Sequence, residues 1–305
     1  MGRGSYTAGD WARLRSSKGL SQSSTAESVF TATGAKHSFV TGCMGTREAR
    51  DSEDSPRSTP VIIGFDVTAS MGYLAKELAV NAMNKTVTDL CREKPITDPH
   101  VLCAAIGDCL CDKTPLQVTQ FEADIRIITQ LTELCLEGGG GGNGGESYNL
   151  LWYFAAKHTA ADCFEKRHEK GFLFTIGDDK CHPQLTAKQI SAVFGDSVSY
   201  SLSNEELLRM ARRNYNAFHI CIETEDSSFG RVMESWRELM PGCATVLHKR
   251  DIGCLSELIT AMISVASGKT ANEALKAMEQ DKAEKLARSM SYININAKKS
   301  NTISF

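Results

Sequence analysis

The chain has no long apolar run, little excess of either charge and an odd number of cysteines, and each shortfall removes a class of protein. No segment approaches the roughly 18 uncharged apolar residues that a membrane span requires. The opening Met-Gly-Arg-Gly-Ser-Tyr contains no apolar core of signal-peptide length. The expectation is a cytoplasmic protein that does not engage a membrane. A net charge of −3 and a pI near 6.2 give no global electrostatic reason for nucleic-acid binding. Eleven cysteines cannot all pair within the chain, which argues against a closed disulfide framework. Most sit in apolar runs such as Val101-Leu102-Cys103 and His219-Ile220-Cys221-Ile222, where a reduced thiol packs as a small hydrophobe.

What is present suffices for a full core: 305 residues, 42% hydrophobic and 23% charged. Residues 1–59 are rich in Ser, Thr, Gly and Arg and read as an N-terminal arm, with Tyr6, Trp11, Leu14, Phe30 and Phe39 available to dock on something. From Pro60 to residue 268, strand-like apolar runs alternate with helical stretches, the grammar of parallel βα units. Predicted strands are Val61–Phe65, Val101–Gly107, Leu116–Phe121, Gly171–Ile176, Ala217–Glu223 and Ala244–His248. The short link through Asp112 and Pro115 suits a hairpin, so one edge strand is expected to run antiparallel. Thr186 with Gln189, and Ser203 with Glu206, have capping-box spacing. Ile252, Leu255, Leu258, Ile259, Met262 and Ile263 form one apolar stripe of a helix. Residues 269–305 read as a polar helix from about Thr270 to Met290, with a thin stripe at Leu275, Met278 and Leu286, followed by a polar tail.

The most informative segment is Val61-Ile-Ile-Gly-Phe-Asp66-Val-Thr68-Ala-Ser70-Met71-Gly72, an apolar strand ending in Asp-x-Thr-x-Ser and passing into a helix. Carboxylate and hydroxyl oxygens at alternate positions of such a turn suit a hard cation, Mg²⁺ or Mn²⁺. In open α/β sheets, ligands sit beyond the carboxyl ends of the strands. Two further places carry oxygen donors: the loop Gly138-Gly-Gly-Gly-Gly-Asn143-Gly-Gly-Glu146-Ser147, and Asp178 in Phe174-Thr-Ile-Gly-Asp178-Asp179.

Together these residues resemble the von Willebrand factor type A (vWA) family over roughly Pro60 to Ser267. Its metal-ion-dependent adhesion site (MIDAS) begins with Asp-x-Ser/Thr-x-Ser, usually followed by Met, which Asp66, Thr68, Ser70 and Met71 match. The resemblance implies a three-layer Rossmann-like α/β fold with a mostly parallel six-stranded sheet. It also implies a Mg²⁺ (or Mn²⁺) site built from Asp66, Thr68, Ser70, Glu146 or Ser147, and Asp178. The family usually places a Thr in the glycine-rich loop; here the loop offers Glu146 beside Ser147, and the choice between them stays open. Glu146 would tighten metal binding while lowering the residual positive charge. The implied function is metal-dependent protein binding without catalysis, in which a partner supplies an Asp or Glu to the open coordination position. The resemblance also implies a role like that of cytosolic bacterial or viral members of the family, which often serve as adaptors in multiprotein assemblies, sometimes beside AAA+ ATPases.

Plainer readings stand beside this one. Asp66 has the residue type of a helix cap, and the glycine run that of a linker. It is no dinucleotide fingerprint, because a helix over Ile125–Leu136 and not a strand is predicted before it. Cys109, Cys111, Asp112, Cys181 and His182 include zinc-ligand types at an unusual spacing, so incidental thiols are the simpler reading. His158, His168 and His219 read as helix-surface or core residues, and Trp11 and Trp236 as packing. A haloacid dehalogenase-like, Mg²⁺-dependent phosphohydrolase also starts from an Asp at the first strand's end. It needs a second Asp as general acid where this chain has Thr68, whose hydroxyl does not transfer a proton at neutral pH. A scaffold with an unmetallated site is the third reading.

Overall fold

The structure is a computed structural model that describes residues 7–68, 71–139 and 144–295. Its strands, in chain order, are β1 (Arg47–Ala49), β2 (Thr59–Asp66), β3 (Pro99–Ile106), β4 (Leu116–Val118), β5 (Thr159–Ala161), β6 (Gly171–Gly177), β7 (Gln184–Leu185), β8 (Leu202–Ser203), β9 (Tyr215–Glu223) and β10 (Ala244–His248). The main sheet is six-stranded in the order β10-β9-β6-β2-β3-β4. All neighbours pair parallel except β3 and β4, which form the expected antiparallel hairpin.

Helices cover both faces, so the central strands are buried throughout and read as continuous apolar runs. The strand period of two sorts their side chains into two layers. Val61, Ile63 and Phe65 pack under the helices at Met83–Glu93 and Leu255–Ala266. Ile62 packs on the other face with the helices at Tyr148–Lys157 and Phe229–Leu239. Gly64 shares that second face by parity, and a Cβ there would lie 2.2 Å from Leu151 Cδ2. The missing side chain is what lets the 148–157 helix sit close to the sheet. This is the three-layer Rossmann-like architecture expected from the alternating pattern. No helix among the described residues is long and apolar enough to cross a membrane.

The N-terminal arm, from residue 7, docks on the core, as its apolar residues allowed, whereas the polar tail expected from Asn294 lies, beyond residue 295, outside the described residues. Residues 7–59 form helices at Ala8–Ser17 and Ala26–Val29, and β1 pairs parallel with β5. Leu20, Val29, Phe30 and Phe39 are buried in the first core layer. Val40 bridges Gln117 on β4, the sheet's outer strand, and the Arg47 guanidinium donates to the Val118 carbonyl. At the opposite edge, Thr245 Oγ1 donates to the Ser289 carbonyl, the Ser289 hydroxyl donates to the Val246 carbonyl, and Asn294 N–H donates to the Gly242 carbonyl. The two flanks thus occupy the open backbone edges of the sheet, where unpaired strands otherwise invite association.

The single polar helix expected over 270–290 is two helices, Ala271–Lys276 and Gln280–Ser291. The first opens at a Thr270–Glu273 capping box, the start expected from the sequence, and ends at Lys276. The helix expected over Ile125–Leu136 is short, Arg126–Leu131. Both capping boxes read from sequence, Thr186 with Gln189 and Ser203 with Glu206, are formed.

Candidate functional site

Strand order sets the location. β2 continues to β3 on one side and meets β6 on the other, so the chain's connections diverge beyond the carboxyl ends of β2 and β6. In open α/β sheets this switch point is where ligands bind. Asp66 ends β2, and since Phe65 pairs with Ile176, it lies level with Gly177, one residue before Asp178.

Asp66 is fully buried, and both of its carboxylate oxygens are held. Thr68 N–H donates to Oδ1 at 2.8 Å, and the Tyr148 hydroxyl donates to Oδ2 at 3.0 Å. The Thr68 side chain also hydrogen-bonds Asp66. Ser70 lies outside the described residues.

Glu146 and Ser147 lead into the 148–157 helix, and the structure sends them different ways. A short bridge from Glu146 to Cys181 ties this loop to the segment following β6. The Glu146 carboxylate is buried, feels the charge of Asp66, and leaves Oε2 without a hydrogen-bond partner. The Ser147 hydroxyl instead accepts from Cys109 N–H at 2.9 Å and lies 3.2 Å from Asp108 Oδ1, which His182 Nε2 also meets at 2.9 Å. Of the two loop candidates, Glu146 is therefore the one coupled to Asp66, while Ser147 is engaged with the loop after β3.

The electrostatics follow from burying several acids together. Desolvation, with Asp178 adding its charge, pushes the Asp66 carboxyl up to about 7 despite the donors that stabilise its anion. Desolvation and the neighbouring charges of Asp66, Asp108, Asp112 and Asp179 push Glu146 up to about 9. Asp178 is raised by burial and by Asp179, partly offset by Lys249. Burial and the three acids Asp66, Asp178 and Glu146 push the Tyr148 phenol well above its ordinary value, so it stays a donor. Lys249 is exposed, with Nζ 4.2 Å from the centre of the Tyr73 ring.

The sequence marks Tyr148 only as the apolar start of a helix, yet it stands where three acid-bearing segments meet. A Cβ on Gly177 would lie 1.9 Å from its hydroxyl oxygen, so glycine is required for the ring to reach Asp66. Trp236 and His219 meet the ring edge-on at 5.3 and 5.2 Å and stack on each other at 3.4 Å, and Trp236 Nε1 donates to the Asp179 carbonyl. His219 stays neutral because burial lowers its basicity. The signal that could have found Tyr148 was a polar-tipped ring directly after two candidate ligands. Gly177→Ala is expected to cost about 1–3 kcal/mol, the usual penalty for overpacking, measured by urea unfolding, because the ring has no free direction in which to yield.

The donor types fit a hard cation: oxygens from Asp66, Thr68, Glu146 and Asp178, with one buried carboxylate oxygen of Glu146 lacking a hydrogen-bond partner. Among the described residues no group of three or more His, Cys, Asp or Glu side chains is gathered so as to hold a metal by itself. Hydroxyl or water oxygens have to complete any shell. Cys109 accepts hydrogen bonds from Ser147 and Gln189, and Cys181 is buried and its thiol pushed up by desolvation; neither presents a thiolate.

No family model matches the chain, and no curated protein matches it. Among solved structures the chain is similar to the pilus adhesin SpaC from Lactobacillus rhamnosus GG in its open conformation. That likeness has 7% identity and a TM-score of 0.44, over 77% of this chain and 31% of the adhesin. It is also similar to proximal thread matrix protein 1 from the mussel byssus, at 12% identity and a TM-score of 0.43, over 69% of this chain and 48% of that protein. The chain spans less than half the length of either, and neither likeness bears on function.

Proposed function

We propose that this chain is a divalent-metal-dependent protein-binding module of the vWA type, in which Asp66, Thr68, Ser70, Glu146 and Asp178 hold Mg²⁺ or Mn²⁺ and an acidic residue of a partner completes the site. The observation that supports the reading is the buried Glu146 carboxylate oxygen without a hydrogen-bond partner, in a loop whose acid is coupled by charge to the fully buried Asp66 at the sheet's switch point. Burying acids this way is unfavourable unless a positive charge joins them. A bound divalent ion supplies that charge together with a position for a carboxylate from outside. Asp66, held through both oxygens, presents its remaining lone pairs in one orientation. Lys249, beside Asp178 and against Tyr73, offsets the third carboxylate and adds attraction for an incoming acidic side chain.

Calorimetric titration with MgCl₂ and MnCl₂ tests the site, and affinity capture with and without chelator tests the function. Saturable heat, with captured protein released by chelator, is the expected pair of results. No heat at millimolar metal leaves only the scaffold reading. Mg²⁺-dependent phosphatase turnover that Asp66→Asn abolishes overturns the binding module in favour of an enzyme.

A further inference from the structure

We infer that Tyr148 is a positioning residue for this site: its hydroxyl fixes the orientation of the Asp66 carboxylate on which metal binding depends. The inference rests on the metal-site reading above and extends it to a residue outside the ligand set. A buried aspartate held only by Thr68 at Oδ1 could rotate about its terminal bond; the 3.0 Å bond from Tyr148 to Oδ2 removes that freedom. The phenol is itself immobile, wedged against the backbone at Gly177 and faced edge-on by Trp236 and His219. Because Tyr148 follows Glu146 by two residues and abuts the residue before Asp178, one rigid ring sets the spacing of all three acid-bearing segments. Groups that orient a metal ligand without touching the metal typically change affinity by about 10–100-fold when removed.

Tyr148→Phe removes one oxygen and leaves the packed ring in place, and Tyr153→Phe, on the same helix but bonded to Asp196, serves as the control. Mg²⁺ and Mn²⁺ affinities are measured by calorimetry, and urea unfolding of the metal-free proteins is followed on the same samples. The expected result is an affinity at least about tenfold weaker for Tyr148→Phe and unchanged for Tyr153→Phe. A Tyr148→Phe protein that unfolds more easily but binds metal as the wild type does makes Tyr148 a packing residue only and overturns the inference. Equal weakening by Tyr153→Phe overturns it too, since the effect is then not particular to the Asp66 contact. Failure of the wild type to bind either metal is a different outcome, which removes the underlying site as well.

Discussion

Asp66→Ala is expected to abolish Mg²⁺ and Mn²⁺ binding while leaving the domain folded. The side chain ends β2 at the point where β2 and β6 lie side by side, and both of its carboxylate oxygens are held by the surrounding structure. Removing it deletes a charged ligand, and no residue among those described next to it offers a replacement carboxylate at the same place. The metal-free fold is expected to change by only about 1 kcal/mol. Alanine relieves the desolvation of a buried acid, and it leaves the Tyr148 hydroxyl without its acceptor, a loss of similar size. Calorimetry with either metal and urea unfolding of the metal-free variant check the two halves. An isotherm like that of the wild type puts the site somewhere else in the molecule.

The second large effect is a dependence on pH that the ion reverses. Asp66 sits at about 7 and Glu146 at about 9 in the folded chain, against ordinary values of 3.8 and 4.5. Groups whose folded values are raised contribute stability that is complete below their unfolded values and disappears as pH climbs through the folded ones. Metal-free protein should therefore be more stable near about pH 5 than near about pH 8, with a loss on the order of a few kcal/mol, since each tenfold change in proton affinity on folding corresponds to about 1.4 kcal/mol. Mg²⁺ competes with those protons, so its stabilising effect should grow over the same interval, reaching about 2.7 kcal/mol when the ion is present at about a hundred times its dissociation constant. Thermal unfolding at several pH values, with Mg²⁺ or with chelator, measures both trends. A metal-free stability that is flat or rises between those pH values contradicts the burial of uncompensated acid at this site.

The frame of the fold was legible because its signals are local. Val61–Phe65 and Gly171–Ile176 are apolar on both faces, which only a strand covered by helices tolerates, and both fall within observed strands. Thr186 and Ser203 announce their helices through side chains three residues apart. The candidate acids were legible for a similar reason: Asp66 and Asp178 terminate strands, and strand ends converge in a parallel sheet. Where the arm docks was not legible because its apolar residues are scattered without period. Leu20, Phe30 and Phe39 find their partners in distant helices and strands, and no sequence window contains both sides of that contact. The same limit applies to Ser289, which reaches the backbone of β10 across a long sequence separation.

Residue chemistry and spacing alone therefore determined the class of fold and put Asp66 and Asp178 at the carboxyl end of the sheet. Only tertiary structure shows how Glu146 and Ser147 differ: the Ser147 hydroxyl is bonded to Asp108, while the buried Glu146 keeps one carboxylate oxygen without a hydrogen-bond partner. It also brought Tyr148 from an apolar helix start to the centre of the acids. The reason is geometric: a hydrogen bond joining residues 82 positions apart exists only once the sheet has set the register of β2 against β6 and the helix has closed over Gly64 and Gly177.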